Sequence, residues 1–427
     1  MKNQTKESTL KRLSENFISL VILQLINYLL PLLLIPYLIH VLGIEGFGIY
    51  SFIFAIVMYG VKMSDYGFEL SATYHISLHR EDSKKIDEIF SSVFMIKLGI
   101  ALVYLLLILL AIFFVEKLFI YKELLFCSFG IFIGYILFPV WFFQGIEKMR
   151  YIMLLNSLSK FLFIISVFLF VKERDDLYLL LLLNSIATLI VGIMAFNIAT
   201  KKFDITLKWQ SWDRVYFYLS DGWYIFTSKI AVEFYTTINI IILGFFVSPL
   251  MVGYYAIAEK IIHAIGGLLN PLVRTVYPYL VKVYDNSSQS FMKRNKQLSL
   301  VILLIMFPVS LFVMFYAQWI LSLITGQEVS SISIDSLQIL SLALIVYLYG
   351  SQFTNILVII KETKFLNQIL FSSAGINVLF APLLIHFYGI IGLVWLNVFI
   401  AFFVTMSKGY YIYVKMKIDD VHPNIKV

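Results

Sequence analysis

Long apolar segments recur along this chain from residue 16 to residue 414, with only short polar gaps between them. A helix needs roughly 20 apolar residues to cross a bilayer, and a segment in lipid must satisfy its own backbone hydrogen bonds. The pattern therefore predicts an all-α integral membrane protein with about 12 transmembrane helices. Their predicted bounds are 16–41, 46–72, 88–115, 119–143, 150–171, 177–199, 216–247, 250–281, 297–320, 335–359, 365–387 and 389–414.

Composition excludes a soluble fold, because 60% of the residues are hydrophobic and only 14% are charged. The single cysteine, Cys127, rules out an intramolecular disulfide. There is no nucleotide-binding glycine loop, and His75 and His79 have helical spacing without a third metal ligand. We therefore expect no enzymatic activity, metal or cofactor.

Two stretches in opposite halves of the chain read alike. Leu42–Tyr50 and Leu243–Tyr255 both carry Leu-Gly followed by Gly-x-Tyr. The short charged turns Gln144–Tyr151 and Ile359–Phe365 form a second echo. Such symmetry between apolar spans is typical of transporters built from repeats. We predict that each Leu-Gly copy forms the turn between the first two helices of its half, where glycine permits a tight bend.

The main interruption of the apolar pattern divides the predicted spans evenly. We predict an N-terminal six-helix lobe over 1–200, a cytoplasmic linker over 201–215 and a C-terminal six-helix lobe over 216–427. Most of the 33 lysine and arginine residues fall on the side of the two termini, including the C-terminal group Lys408, Lys415, Lys417 and Lys426. The positive-inside rule therefore predicts cytoplasmic termini. The net charge of +7 is explained by this topology and predicts no binding of nucleic acid.

Charged residues also lie inside the predicted spans, where each lysine or arginine costs about 3 kcal/mol on insertion scales. Once the basic residues assigned to the two membrane faces are set aside, those left inside spans are Lys62, Lys97, Lys160, Lys229, Lys260 and Arg274. Lys97 and Arg274 lie near the cytoplasmic ends, where long side chains can reach the interface. We predict a substrate cavity lined by Lys62, Lys229, Lys260, Arg274, Asp65, Glu69, Glu233 and Glu259. Structural pairing is the alternative role for these charges, and hydrogen bonding between helices is the expected role of Asn27, Asn239 and Asn270.

Three motifs together resemble the Wzx-type polysaccharide flippases, which export O-antigen and capsule repeat units and belong to the multidrug/oligosaccharidyl-lipid/polysaccharide superfamily. These motifs are Pro36–Gly43 with Phe47–Tyr50, Pro139–Met149, and Val252–Ile261. They occur in both halves of the chain, so the resemblance extends over nearly its whole length.

The resemblance implies two six-helix lobes around a central cavity and transport by alternating access. It implies an oligosaccharide on an undecaprenyl diphosphate carrier as the substrate, moved to the outer leaflet of a bacterial inner membrane. The cationic lining would then fall to Lys62, Lys229, Lys260 and Arg274. Membrane lipids, the polysaccharide polymerase and the glycosyltransferases of the same pathway are the implied partners.

Other functions remain open at this stage. A cation-coupled multidrug exporter of the same superfamily would have a mainly apolar cavity with a few acids, whereas this chain has an excess of lysine inside its spans. A lipid II flippase usually carries more spans than the sequence predicts. A membrane enzyme of polysaccharide assembly would need a long external loop, and the gaps on that side are short.

Overall fold

The computed structural model describes residues 2–269, 271–326 and 329–421, which are almost entirely helical and contain no strand. The first nine helices are α1 (Lys2–Asp65), α2 (Ser71–Leu78), α3 (Ser83–Phe114), α4 (Glu116–Ile120), α5 (Lys122–Leu137), α6 (Val140–Gly145), α7 (Met149–Phe170), α8 (Leu177–Asn197) and α9 (Trp212–Glu233). The others are α10 (Ile238–Phe246), α11 (Pro249–Leu269), α12 (Pro271–Asn286), α13 (Ser288–Phe315), α14 (Ala317–Thr325), α15 (Ser331–Ile359) and α16 (Thr363–Val421).

The length and apolar composition of these helices confirm the prediction of an all-α, multi-pass membrane protein. In the described part of the chain, 8 helices are long and apolar enough to cross a membrane, or 9 if α9 and α10 form one bent span. The number of twelve stays a prediction. Large apolar side chains face outward along α3, with Leu102, Leu106, Leu110 and Phe113 all more than half exposed. Such a stripe suits contact with lipid.

Contacts between residues divide the chain into two units. The first contains Met1–Leu30 and Val41–Ile230, and the second contains Pro31–His40 and Ala231–Val427. The predicted lobes, 1–200 and 216–427 with a linker at 201–215, stay a prediction. Each unit is described by itself below.

The first unit packs a cluster of aromatic and aliphatic side chains around the start of α3 and the short helix α6. Phe90, Phe142 and Phe143 are completely or almost completely buried in this cluster. Nearby, α5 and α8 approach so closely that a Cβ on Gly192 would lie 2.4 Å from the backbone oxygen of Gly134. Small residues allow helices in lipid to pack at this range, so the pair is fixed by backbone contact.

The second unit has its own core. Buried residues of α12, α13, α15 and α16 form it, among them Leu280, Phe291, Leu357 and Ile412. Helix α16 joins two segments at Gly389, where φ is 61°. A left-handed conformation is accessible to glycine without steric cost, and it allows the chain to break the helix there.

Both copies of the repeated motif contain a break between helices, but glycine makes the break only in the first copy. Gly43 has φ 72° and ψ 168° inside α1, so the helix breaks where the first two spans were predicted to meet. In the second copy Gly244 is buried within α10, and the chain turns instead between Phe246 and Pro249. The prediction that glycine makes the second bend is therefore wrong, because proline at the start of α11 and an extended Val247 end the helix there.

The two charged turns share one backbone geometry. Glu147 and Lys361 both adopt positive φ, at 56° and 61°. In each turn the next amide reaches back five residues, from Lys148 to the Phe143 carbonyl and from Glu362 to the Leu357 carbonyl, both at 2.8 Å. This is the hydrogen bonding of a Schellman helix end. The two charged turns that look similar in sequence therefore also share a structure.

The segment between α8 and α9 is held against α3. The amide of Thr206 donates to Asp87 at 2.9 Å, and the amide of Lys208 donates to Ser91 at 3.0 Å. Trp209 and Trp212 are 87% and 80% exposed. Exposed tryptophans beside basic residues are typical of a segment at the membrane interface.

Candidate functional site

Asp65 ends α1 and forms an ion pair with a buried lysine of α3. The Lys97 Nζ lies 2.9 Å from Asp65 Oδ1, and the lysine side chain is only 2% exposed. The backbone turns sharply after Asp65, with φ 78° at Gly67, where any Cβ would meet Ile225. This turn ends the span at the carboxylate and fixes it beside the ammonium.

Glu69 and Lys229 form a second pair, 2.9 Å apart, in the same unit. The Lys62 ammonium also interacts electrostatically with the Glu69 carboxylate. The structure therefore brings three predicted site residues, Lys62, Glu69 and Lys229, together near the end of α1. Asp65, a fourth predicted site residue, adjoins this group with its partner Lys97, so that three ammonium groups face two carboxylates.

The second unit contains a chain of neutral polar groups that ends at Glu259. Asn377 donates to Asn239 at 2.7 Å, Asn239 to Asn397 at 2.6 Å, and Asn397 to the Tyr255 hydroxyl at 2.6 Å. Tyr255 in turn donates to Glu259 at 3.2 Å. The chain joins helices α10, α11 and α16, as expected for Asn239. In every hydrogen bond of this chain, the acceptor is the group nearer to the Glu259 carboxylate.

A cavity of about 500 Å³ lies inside the second unit. Its polar lining includes Asn239, Tyr255, Glu259, His263, Thr354 and Lys408. His263 lies 4.0 Å from Glu259, one turn along α11. The volume is in the range of small-molecule sites, and most of the remaining lining is aliphatic or aromatic.

The other predicted site residues lie elsewhere. Glu233 accepts a hydrogen bond from Thr237 at 2.5 Å at the end of α9. Lys260 follows Glu259 on α11, and among the described residues neither Glu233 nor Lys260 lines the cavity. The side chain of Arg274, like Asn270, lies outside the described residues. For all eight residues a role in binding substrate stays a prediction.

Sequence reasoning placed two lysines wrongly. Lys97 was expected to reach the interface, whereas it is buried in an ion pair. Lys408 was counted with the cytoplasmic tail, whereas it is 4% exposed and lines the cavity. The signal was present, since Lys408 falls within the apolar stretch predicted as the last span.

The chain matches known protein families in sequence. A family model described as polysaccharide biosynthesis protein matches residues 13–284, and the MatE model matches residues 286–383. A putative O-antigen transporter of Escherichia coli K12 is 34% identical over 62% of this chain and 64% of the relative, which is less than two thirds of its length. A putative O-antigen transporter of Shigella dysenteriae is 27% identical over 90% of this chain and 95% of that relative.

Solved structures share the fold at low sequence identity. The inward-closed lipid II flippase MurJ has a TM-score of 0.73 and 16% identity, covering 95% of this chain and 90% of that one. An inward-facing multidrug transporter of the MATE family has a TM-score of 0.68 and 16% identity, covering 93% and 99%. The fold is therefore that of a helical membrane transporter.

The family match covers more than half of the chain and agrees with the motifs. The chain belongs to the polysaccharide biosynthesis protein family and is a Wzx-type member of the MOP superfamily. This confirms the resemblance found in the sequence.

Proposed function

We propose that this protein moves an oligosaccharide repeat unit, linked to undecaprenyl diphosphate, from the cytoplasmic to the outer leaflet of a bacterial inner membrane. The names of these two relatives support an O-antigen unit, and a capsule unit is the alternative. The distribution of basic residues supports cytoplasmic termini. In this proposal the partners are membrane lipids and the polymerase and glycosyltransferases that act on the same glycan.

The observation that carries this proposal is the group of paired charges at the end of α1. Lys229 is held 2.9 Å from Glu69, and both side chains are about half exposed. A diphosphate carries more negative charge than one carboxylate and can compete with Glu69 for Lys229 and Lys62. Lys62 and Lys229 together supply counter-charge for the diphosphate, which lowers the cost of bringing a charged headgroup into the membrane.

The proposed mechanism is alternating access with the lipid tail remaining in the bilayer. The headgroup binds to Lys62 and Lys229 in the first unit, and Lys260 and Arg274 supply positive charge from the second. An outward movement of negative charge is favoured by about 2.3 kcal/mol per charge per 100 mV of inside-negative potential. The potential therefore drives the step without nucleotide hydrolysis.

Export in cells tests this proposal. Deletion of the gene is expected to leave completed lipid-linked oligosaccharide on the cytoplasmic leaflet and to remove surface polysaccharide. Lys62→Ala, Lys229→Ala and Lys260→Ala are expected to reproduce the loss while the protein still inserts at normal levels. Lys364→Ala, an exposed lysine at the start of α16, is the control that should export normally. Normal surface polysaccharide in the deletion strain would reject the function.

A multidrug exporter is the second candidate, favoured by the MatE match over residues 286–383. The two functions differ in a simple measurement. A multidrug exporter would lower the sensitivity of cells to cationic dyes and drugs, and its loss would leave surface polysaccharide unchanged. The flippase is expected to show the opposite result in both assays.

A further inference from the structure

Lys408 is a buried lysine without an ion-pair partner among the side chains that the structure describes. Its side chain is 4% exposed, and its Nζ donates to the Thr354 hydroxyl at 3.0 Å. No carboxylate with a described side chain lies within 4 Å of it. The hydroxyl is a neutral acceptor and does not balance an ammonium charge.

Other lysines in the protein are arranged differently. Lys97 contacts Asp65, and Lys229 contacts Glu69, each at 2.9 Å. Two turns beyond Lys408 on the same helix, Lys415 contacts Glu362 at 2.8 Å. The Glu362 carboxylate also accepts a hydrogen bond from the Tyr411 hydroxyl, so this acid in the turn before α16 already has two partners. A buried ammonium without a counter-charge is unfavourable, and inside a membrane protein it marks a candidate site of function.

The position of Lys408 in the cavity adds the second observation. Asn397, Ala401, Thr405 and Lys408 follow one another at spacings of three or four on the cavity face of α16. At 1.5 Å per residue, Lys408 lies about 16 Å along the helix from Asn397. Asn397 is joined to Tyr255 and Glu259, so the acid and His263 lie toward the opposite end of the cavity.

Two further groups surround the ammonium. Thr354 and Asn355 are adjacent on α15, and both line the cavity. In the described part of the chain, the Asn355 amide has no hydrogen-bond partner. The Thr354 hydroxyl donates to the Gly350 carbonyl at 2.7 Å and accepts from Lys408, so it positions the ammonium. The ammonium and the Asn355 amide are hydrogen-bond donors suited to the oxygens of a phosphate ester.

We propose that Lys408, Thr354 and Asn355 form an oxyanion subsite that holds a phosphate of the lipid-linked substrate. This inference rests on the proposed function and adds a site in the second unit to the charged group of the first. On the predicted topology, this end of the cavity faces the cytoplasm, where the substrate is first met. Lys408 then has its counter-charge only in the loaded protein.

Binding to the purified full-length protein tests the subsite. The protein is placed in nanodiscs of phosphatidylcholine, and geranylgeranyl diphosphate, inorganic pyrophosphate and phosphatidylglycerol are titrated while tryptophan fluorescence is followed. We expect the isoprenyl diphosphate to bind, and Lys408→Met to weaken that binding about tenfold or more. Lys408→Arg should stay within about threefold of the wild type, because the charge is kept. Lys364→Met is the matched control and should bind as the wild type does.

The Thr354→Val/Asn355→Leu variant keeps the lysine and is used if Lys408→Met does not fold. It is expected to weaken binding about threefold or more, through the loss of two polar partners. Unchanged binding in the Lys408→Met protein would overturn the subsite, and so would unchanged binding in this double variant. Binding of phosphatidylglycerol in preference to the diphosphate would assign the site to a lipid headgroup and overturn the substrate assignment.

Absence of any binding to the wild type would also overturn the subsite. The proposed function is judged separately, by export in cells. Normal export by the Lys408→Met variant would overturn the subsite and leave the proposed function standing. A deletion strain with normal surface polysaccharide would remove the function itself.

Discussion

The two units differ in how their polar side chains are paired. In the first unit, lysines meet carboxylates directly, as in Lys97 with Asp65 and Lys229 with Glu69. In the second, three asparagines and a tyrosine form a neutral chain that ends at Glu259, and Lys408 has a hydroxyl as its partner among the described side chains. The ion pair of Lys415 with Glu362 in this unit lies at the turn before α16.

Two units with repeated structural elements therefore need not have the same arrangement of polar groups. Both units are helical, and both contain the same left-handed charged turn. Ion pairs tolerate exchange with a charged ligand, whereas a connected amide chain fixes helices in one arrangement. Under the proposed function, the first unit captures and releases the headgroup, while the amide chain of the second unit holds its helices around a cavity.

The largest expected effect breaks an ion pair in the first unit. Asp65→Asn leaves the buried Lys97 ammonium without its counter-charge and should lower the free energy of unfolding by about 2 kcal/mol, a value reduced because Asp65 is partly exposed. Unfolding in mixed micelles with dodecyl sulfate measures this. The double variant Asp65→Asn/Lys97→Met should recover most of the loss. Equal losses in the single and double variants would mean that the pair does not matter for stability.

The second prediction concerns the amide chain. Asn397→Ala removes the acceptor of Asn239 and the donor to Tyr255, and should cost about 1.5 kcal/mol in the same unfolding assay. Asn355→Ala is the matched control, an asparagine in the same cavity without a partner among the described residues. It should change stability by less than about 0.5 kcal/mol. If the two variants behaved alike, the chain of hydrogen bonds would not hold the helices.

The smallest effect concerns pH and the turn before α16. Hydrogen bonds from Lys415 and Tyr411 lower the pKa of Glu362. The contribution of Glu362 to the free energy of unfolding is therefore complete above the pKa of the unfolded carboxyl, about 4.3. This contribution is lost as pH falls through the lower pKa of the folded state. We expect a loss of about 0.5 kcal/mol across this acidic range, because Lys415 is partly exposed. Lys415→Met should flatten this part of the stability profile, and an unchanged profile would exclude Glu362 as its source.

Much of the fold could be predicted from the sequence, because the composition of a membrane helix is dictated by lipid. The apolar stretches indicated helices, and Gly43 indicated the first bend. The second bend falls where the predicted spans 216–247 and 250–281 meet, but glycine does not make it. A Leu-Gly pair is compatible with a helix interior as well as with a turn, and here Pro249 decided where the helix ends.

The candidate site was less predictable. Lys62, Asp65, Glu69 and Lys229 were singled out because they are charged residues inside apolar spans. Their partners, however, depend on how each helix is rotated about its axis. Nothing in the spacing along the chain connects Lys97 to Asp65 or Lys408 to Thr354. Such pairings arise from contacts between distant helices, which a hydropathy pattern does not contain.

The left-handed turns offer a way to tell the units apart in solution. Lys361 adopts φ 61° without being glycine, a conformation that costs a side chain free energy and costs glycine none. Replacement by glycine relieves that strain in the second unit alone. In a calorimetric scan, this substitution would displace one melting transition and leave the other in place, provided that the units unfold separately. A single shared displacement would instead show that the two halves melt as one cooperative block.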